Sequence, residues 1–198
     1  MLEQPENPVL PQRENAQVRS ISREVDLAWL AGIIDGEGNI DFSVQQKQSG
    51  ENKVPNEYFC PKVRITNTDM RMIRKVSEIY VNENIVFFYA LNSVKRYKNR
   101  KDTWKNQMEI TISGHGSIKK LLSLVLPYLV NKQALAKLMI ETIDWVQVQP
   151  YRGRMSRSGS NYSAKPEFGA HIEKMKEERA FHIEPSTTKR KAREVISW

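Results

Sequence analysis

The first third of the chain shows a helical pattern of apolar positions followed by a strand pattern. The helical pattern has the i, i+3, i+4, i+7 spacing of one helix face and comprises Leu27, Leu30, Ala31 and Ile34. Ser22 is placed to cap the start of this helix, because its hydroxyl can accept a hydrogen bond from the first unpaired amides. From Asn39 to Lys47 apolar and polar residues alternate, which predicts a strand with one buried and one polar face.

The chain repeats these two patterns up to about residue 147. A strand is predicted over 58–66, a helix over 69–82, strands over 85–94 and 105–113, and helices over 117–130 and 131–147. Ser117 is the predicted cap of the helix at 117–130, and Pro127 interrupts its last turn. The order helix–strand–strand–helix–strand–strand–helix predicts an α+β fold, in which helices cover one face of an antiparallel sheet and the other face stays polar.

Differences in composition divide the chain into three predicted segments. Residues 1–21 are polar, contain prolines and lack periodicity, so they are predicted to form a flexible N-terminal arm. Residues 22–149 form the predicted folded domain. Residues 150–198 form a predicted basic extension with a short helix around 167–180.

Positive charge is the clearest compositional feature of the chain. Its 198 residues include 31 Lys and Arg against 23 Asp and Glu, a formal net charge of +8. This charge favours nucleic acid or another anionic partner, although it also promotes solubility. The single cysteine, Cys60, excludes an intramolecular disulfide and a cysteine-based zinc cluster. No apolar run has the length of a membrane span and no signal-peptide pattern is present, so a soluble intracellular protein is expected.

Residues 30–38 combine an apolar helix end with two glycines and two carboxylates, in the order Leu-Ala-Gly-Ile-Ile-Asp-Gly-Glu-Gly. The C-terminus of a helix carries partial negative charge, which disfavours the carboxylates of Asp35 and Glu37 unless a cation binds there. The pattern therefore predicts a metal site at the end of this helix. Gly36 and Gly38 end a helix rather than begin one, which argues against a metabolic enzyme with a cofactor-phosphate site.

A stripe of small residues follows the same helix, at Ala28, Gly32 and Gly36. Residues spaced by four lie on one helix face, and a face without side chains lets a second backbone approach closely. The stripe therefore predicts either a contact with the helix of a second copy of the chain or tight packing against the chain's own sheet.

The segment 30–38 resembles the signature motif of the LAGLIDADG homing endonucleases. The resemblance extends to the element order over about residues 22–147. It implies that residues 22–149 form a LAGLIDADG endonuclease domain with a saddle-shaped antiparallel sheet. Because the motif occurs once, it also implies a homodimer in which two motif helices cross, and this favours the dimer contact over internal packing. The expected interface residues are Ala28, Gly32, Asp35 and Gly36.

The family binds divalent metal through the last acidic residue of the motif and the carbonyl of the preceding glycine, which correspond here to Glu37 and Gly36. Mg²⁺ is the expected ion, and Mn²⁺ or Ca²⁺ can replace it for binding. Glu37 is one methylene longer than the commoner aspartate, which can shift the metal and lower activity. Asp35 is expected to cap or brace the helix pair rather than to bind metal.

Three further residues match catalytic positions of the family. Asn67 matches a polar residue, often glutamine, that ends the second strand and orders water at the metals. Arg71 matches a basic residue that holds the region of the scissile phosphate. Lys132 follows a Leu-Pro-Tyr-Leu turn and matches a lysine at the start of the next helix, although an exposed helix lysine would look the same.

The polar face of the predicted sheet is expected to read double-stranded DNA in the major groove, which admits a β-ribbon. The expected base readers are Asn39, Asp41, Ser43, Gln45, Lys47, Tyr58, Lys62, Arg64, Gln107, Glu109 and Thr111. Alternation alone supports this weakly, because any surface strand is polar on one side. A basic cluster between two strands, whose self-repulsion phosphate contacts would relieve, supports it better and comprises Lys95, Arg96, Lys98, Arg100 and Lys101.

The resemblance and the residue patterns together predict a site-specific homing endonuclease. It is expected to cleave a long pseudo-palindromic site in double-stranded DNA by Mg²⁺-dependent phosphodiester hydrolysis, as intron-encoded members do. The alternative with the same fold is a catalytically inactive DNA-binding protein or an RNA-splicing maturase. The expected partners are double-stranded DNA and a second copy of the chain, with no membrane and no small-molecule substrate.

Overall fold

Helices and strands follow one another in the predicted order. The computed structural model describes residues 12–47, 56–92, 105–149 and 165–182. Its elements are α1 (Gln12–Gly36), β1 (Gly38–Lys47), β2 (Asn56–Asn67), α2 (Met70–Asn82), β3 (Phe88–Asn92), β4 (Gln107–Ser113), α3 (His115–Val125), α4 (Gln133–Val148) and α5 (Pro166–His182). A 3₁₀ turn at Leu126–Tyr128 separates α3 from α4.

The four strands form one antiparallel sheet in the order β1-β2-β4-β3. The chain therefore builds two hairpins whose second strands, β2 and β4, meet in the centre. Gly38 at the start of β1 pairs with Ile65 of β2, and Ile65 pairs with Ile110 of β4. The start of β1, the end of β2 and the end of α1 therefore lie at the same end of the sheet.

One face of the sheet carries the core and the other stays polar. Ile65 and Ile110 are buried on the inner face, where Leu30 of α1, Tyr80 of α2 and Leu122 of α3 pack against them in one apolar cluster. On β2, alternate residues such as Phe59, Val63 and Ile65 are thus removed from water, which is the main favourable term in folding. The predicted α+β fold with helices on one face of an antiparallel sheet is confirmed.

Two predicted helix starts are wrong. Helix α1 begins at Gln12, ten positions before the predicted cap at Ser22, so residues 12–21 are helical rather than a flexible arm. This stretch is rich in Gln, Arg, Glu and Ala, which favour helix without requiring apolar periodicity. Helix α3 begins at His115 rather than after Ser117. It follows directly on Gly114, whose φ of 97° is a backbone conformation open mainly to glycine.

Helix α5 packs onto the core, although the sequence placed it in an extension beyond the domain. Phe168, Ile172 and Met175 are buried and recur at a helical spacing. The Phe168 ring stacks on Trp145 of α4 and meets Phe59 of β2 edge-on. None of the helices in the described ranges is both long and apolar enough to cross a membrane.

Candidate functional site

The turn from α1 to β1 presents Glu37 at the surface. The Glu37 amide donates to the Ile33 carbonyl (2.8 Å) and closes the helix. Gly38 is required next, because a Cβ there would lie 2.7 Å from Ile34 Cα. The Glu37 side chain is exposed. Among the described residues it has no hydrogen-bond or ion-pair partner, so its carboxylate is available to a ligand.

Asp35 and Lys132 join the end of α1 to the turn that leads into α4. The Asp35 carboxylate accepts from the backbone amides of Val130 (2.7 Å), Asn131 (3.1 Å) and Lys132 (2.9 Å). In return, Lys132 Nζ donates to the carbonyls of Ile34 (2.7 Å) and Asp35 (2.6 Å). The negative Asp35 thus lies near the N-terminus of α4, which carries partial positive charge. The positive Lys132 lies at the C-terminus of α1, which carries partial negative charge. The Asp35 carboxylate is therefore engaged within the chain, and its predicted role at the interface of two motif helices stays a prediction.

Lys132 is therefore half-buried beside the acidic turn rather than an exposed helix lysine. Burial lowers the pKa of Lys132, and the negative charge of Asp35 partly offsets this lowering. An ammonium group has three N–H donors, and the two carbonyl bonds leave one of them for a ligand. The carbonyl of Gly36 follows the two that Lys132 engages and is not among its acceptors.

Asn67 and Arg71 flank the same end of the sheet. Asn67 is the last residue of β2, two positions beyond the partner of Gly38. Its Oδ1 accepts from the Asp69 amide (2.7 Å), and this fixes the turn into α2. The Arg71 guanidinium donates to both carboxylate oxygens of Asp69 (3.1 and 2.8 Å). These bonds lower the pKa of Asp69 to about 2, while the Arg71 side chain remains 91% exposed.

The small-residue stripe of α1 lies on the surface. Ala28, Gly32 and Gly36 are exposed, and a Cβ placed on either glycine would meet nothing within 4 Å. The alternative of tight packing against the chain's own sheet is therefore wrong. Larger apolar side chains are also exposed on α1, with Ile21 57% and Val25 61% exposed before the stripe and Trp29 36% exposed next to Ala28.

The outer face of β1 and β2 carries the predicted polar residues. Asn39, Ser43 and Gln45 are exposed on β1, and Tyr58 is 41% exposed on β2. Lys62 is half-buried opposite Asp41. The Lys47 side chain and the basic cluster of Lys95, Arg96, Lys98, Arg100 and Lys101 lie outside the described residues.

Asp41 lies between two arginines on this face. Its Oδ2 accepts from Arg64 of β2 (3.0 Å), and its Oδ1 accepts from Arg179 of α5 (2.7 Å). The Phe42 amide also donates to Oδ1 (2.7 Å). Arg64 Nε is buried and has no acceptor among the described residues. A buried donor without a partner costs about 1–3 kcal/mol, so this N–H is an unfavourable feature of the arrangement around Asp41.

Two of the three predicted readers on β4, Glu109 and Thr111, are bonded to each other. Glu109 accepts from Thr111 Oγ1 (2.9 Å) and from Asn92 Nδ2 of β3 (3.2 Å). Thr111 pairs with Arg64 and Phe88 in the sheet and is only 2% exposed. Gln107, the first residue of β4, is exposed. Thr111 is therefore covered in this structure, whereas Gln107 is open to a ligand.

Three parts of this surface were not predicted from the sequence. Arg179 belongs to a highly charged helix, and nothing in that pattern indicates which cation reaches the sheet. Asn92 bonds to Glu109 because β3 pairs with β4, so its role depends on the register. Exposed Ile21 and Val25 continue the α1 face, and a helical projection starting before Ser22 would have found them.

The acidic turn offers oxygen donors of the kind that hard divalent cations prefer. The Glu37 carboxylate and the Gly36 carbonyl are adjacent in the chain and stand at the negative end of α1. In the part of the chain that the structure describes, no three His, Cys, Asp or Glu side chains come together as a metal cluster.

Comparison with known proteins identifies the fold. No protein-family model and no curated protein matches the sequence. Among solved structures, the chain is similar to the archaeal intron-encoded homing endonuclease I-Vdi141I complexed with DNA, with 12% identity and a TM-score of 0.52 over 85% of this chain and 90% of that one.

Two other similar structures are also complexes with DNA. The homing endonuclease I-CvuI with its target is 21% identical, with a TM-score of 0.49 over 65% of this chain and 71% of that one. The LAGLIDADG homing endonuclease I-GzeII with its target is 17% identical, with a TM-score of 0.45 over 78% and 43%. This chain has the fold of the LAGLIDADG homing endonucleases, as its sequence motif predicted.

Proposed function

We propose that this protein is a site-specific double-strand DNA endonuclease that acts as a homodimer and requires a divalent cation. The observation that carries the proposal is the exposed Glu37 carboxylate between the small-residue stripe of α1 and the polar face of the sheet. One surface thus combines a metal ligand, a helix face open to close contact and a strand face suited to DNA. Action on DNA implies an intracellular location.

The α1 face supports a homodimer. A helix lined by Ala28, Gly32 and Gly36 allows a second α1 to cross at short distance. The exposed side chains of Ile21, Val25 and Trp29 add apolar area that a partner would remove from water. A two-fold axis through this face brings two copies of Glu37 together, because the residue directly follows the stripe.

The residues of the acidic turn fit Mg²⁺. Mg²⁺ binds through one or two carboxylates together with waters and phosphate oxygens rather than through an all-protein cage. Glu37 and the Gly36 carbonyl would hold the ion, and the DNA would supply phosphate oxygens. Mn²⁺ and Ca²⁺ suit the same donors for binding. A bound divalent cation polarises the phosphate and lowers the pKa of water.

The chain's own groups orient the reacting phosphate. Lys132 has one donor left after its two carbonyl bonds, and its positive charge favours a phosphate oxygen beside Glu37. Asn67 Oδ1 accepts from the Asp69 amide, and this bond fixes the Asn67 side chain. The NH₂ group of the same side chain is left to order water. Arg71 is exposed and can exchange its contact with Asp69 for a DNA phosphate.

The sheet supports recognition of a long site. Antiparallel strands fit the major groove, where each base pair presents a distinct set of donors and acceptors. Two copies of the sheet related by a two-fold axis would read two similar half-sites, which predicts a pseudo-palindromic target. Intron homing is the biological role that this activity suits.

Selection of cleaved duplexes from a randomised DNA library tests the proposal. Wild-type protein with Mg²⁺ is expected to release fragments that share one pseudo-palindromic sequence. The Glu37→Gln variant is expected to bind that sequence with near-normal affinity and to lose cleavage by at least about a hundredfold, since it removes the charged metal ligand. Glu141→Gln makes the same change at an exposed position of α4 and should cleave like wild type.

Two results would contradict the proposal in different ways. Specific binding without cleavage in Mg²⁺ or Mn²⁺ would leave a DNA-binding protein of the same fold. Full cleavage by Glu37→Gln would remove Glu37 from the metal site. Selection from the same library prepared as RNA tests the alternative that the protein is an RNA-splicing maturase.

A further inference from the structure

Asp41 connects three elements on the outer face of the sheet. It lies on the edge strand β1, Arg64 lies on the central strand β2, and Arg179 comes from α5 near the other end of the chain. Arg64 and Asp41 are diagonal neighbours in the register, because Asp41 pairs with Lys62 and Arg64 pairs with Asn39. A diagonal pair is within reach of a side chain as long as arginine.

The contacts of Asp41 are those of a positioning residue rather than of a base reader. One carboxylate oxygen accepts from Arg179 and from the Phe42 amide, and the other accepts from Arg64. Its side chain is only 20% exposed, which is low for a group expected to accept from a base. Two guanidinium groups share one carboxylate, so the cluster keeps one net positive charge facing outward.

Helix α5 holds Arg179 at a defined place. Met175 is fully buried against Thr142 of α4 (3.7 Å between Sδ and Oγ1), and Arg179 follows four residues later on the same helix face. The helix therefore carries the guanidinium to the β1 edge as part of a packed element. Arg64 lies one strand further in, between β1 and β4.

We propose that α5 forms one side of the DNA-binding surface and that Asp41 positions two arginines with different tasks. Arg64 reads a base in the major groove, and Arg179 contacts a backbone phosphate at the rim of the sheet. A central arginine reaches base edges, and a bidentate contact to guanine is its most common use. A cation at the edge meets the phosphates that flank the groove. This inference rests on the proposed function, since it assigns residues to the same DNA surface.

The base-reading part is tested by library selection for binding in Ca²⁺ with full-length protein. Arg64→Gln is expected to weaken the preference at one base pair in each half-site by about tenfold. Asp41→Asn is expected to weaken the preference at that same base pair, because it removes the carboxylate that positions Arg64. If Asp41 itself read a base, its substitution would instead change the preferred base at a different position, and the positioning role would be wrong.

The phosphate part is tested by the salt dependence of affinity for the duplex that wild type selects. Arg179→Gln is expected to weaken binding to all sequences by a similar factor of about five to ten, without changing base preference. It should also reduce the slope of log affinity against log salt by about two for a dimer, one for each lost phosphate contact. Lys176→Gln is the matched control, because Lys176 is an exposed cation of α5 that pairs with Glu173 and not with the sheet.

The outcomes separate this inference from the proposed function. If wild-type protein selects no common sequence, the proposed function fails. If wild type selects a sequence and Arg179→Gln keeps the wild-type salt slope, α5 is not part of the DNA surface. A lower melting temperature of Arg179→Gln with an unchanged slope would show that Arg179 only braces α5 against the sheet, and it would overturn the phosphate contact.

Discussion

Asp35 and Lys132 bind reciprocally across the junction between α1 and the turn before α4. The Asp35 carboxylate accepts three backbone amides at the turn before α4, and Lys132 Nζ donates to two carbonyls at the end of α1. The contact thus gives partners to two of the last carbonyls of α1 and to the three amides that lead into α4. The contact fixes Lys132 Nζ at the Asp35 carbonyl, two residues before Glu37, so the geometry of the candidate site depends on the stability of the junction.

Asp35→Ala is expected to destabilise the protein. The substitution removes the charged acceptor of three amides, and the expected loss is about 2 kcal/mol, within the range for hydrogen bonds to a charged group. For a chain of this size the loss corresponds to a melting temperature lower by roughly 4–8 °C in calorimetry. Asp144→Ala is the control, because Asp144 forms a surface ion pair with Lys119 and such pairs contribute little. Equal losses in both variants would contradict the stabilising role of the Asp35 contacts.

The pKa of Lys132 is expected to lie below 10.5 and to fall further in Asp35→Asn. Burial lowers this pKa, and the charge of Asp35, which the variant removes, raises it. NMR titration of ¹³C-labelled lysine side chains measures it, with Lys132→Met to assign the signal. Because the folded protein binds this proton less tightly than the unfolded chain, Lys132 makes the free energy of unfolding increase with pH from the lowered pKa up to that of an ordinary lysine. A pKa that rises in Asp35→Asn would contradict the assigned cause.

Gly32→Leu is expected to dissociate the proposed homodimer without unfolding the chain. A side chain at this position meets nothing within 4 Å in a single chain, but it would separate two crossing helices by more than their close packing allows. Sedimentation should show a monomer, and circular dichroism should show unchanged helix content. Val148→Leu, at a position 78% exposed on α4, is the control and should stay dimeric. A dimeric Gly32→Leu would show that the stripe is not the interface.

Phe168→Ala is expected to cost about 3–5 kcal/mol of unfolding free energy, the usual range for a buried aromatic residue. Phe168 is 3% exposed and contacts Phe59 and Trp145, so its loss leaves a cavity between α5, the sheet and α4. Denaturant titration measures the change. Phe88→Ala is the matched control, because Phe88 is 49% exposed on β3 and should lose far less. A similar small loss at both positions would show that α5 is only loosely attached.

Much of the fold could be predicted because its elements have strong local patterns. The period-two alternation around Ile40 and Ile65 and the helical spacing around Ile73 identify elements whose apolar faces have one way to be buried together. The motif at residues 30–38 located Glu37, and the turn before α4 located Lys132. Helix starts were less predictable, because α1 extends through a polar stretch and α3 starts from a glycine rather than from a hydroxyl cap.

The sequence by itself determined the order of elements, the polar strand face and the acidic turn, because each is encoded by residues close together in the chain. Only the tertiary structure decided the partners of the charged groups. Asp41 joins Arg64 and Arg179, which are separated from it by 23 and 138 positions in the sequence. Asp35 and Lys132 are likewise distant in sequence. Such pairs form where the packing of α4 and α5 brings charged side chains together. Local sequence patterns carry no information about which distant residues meet in this way.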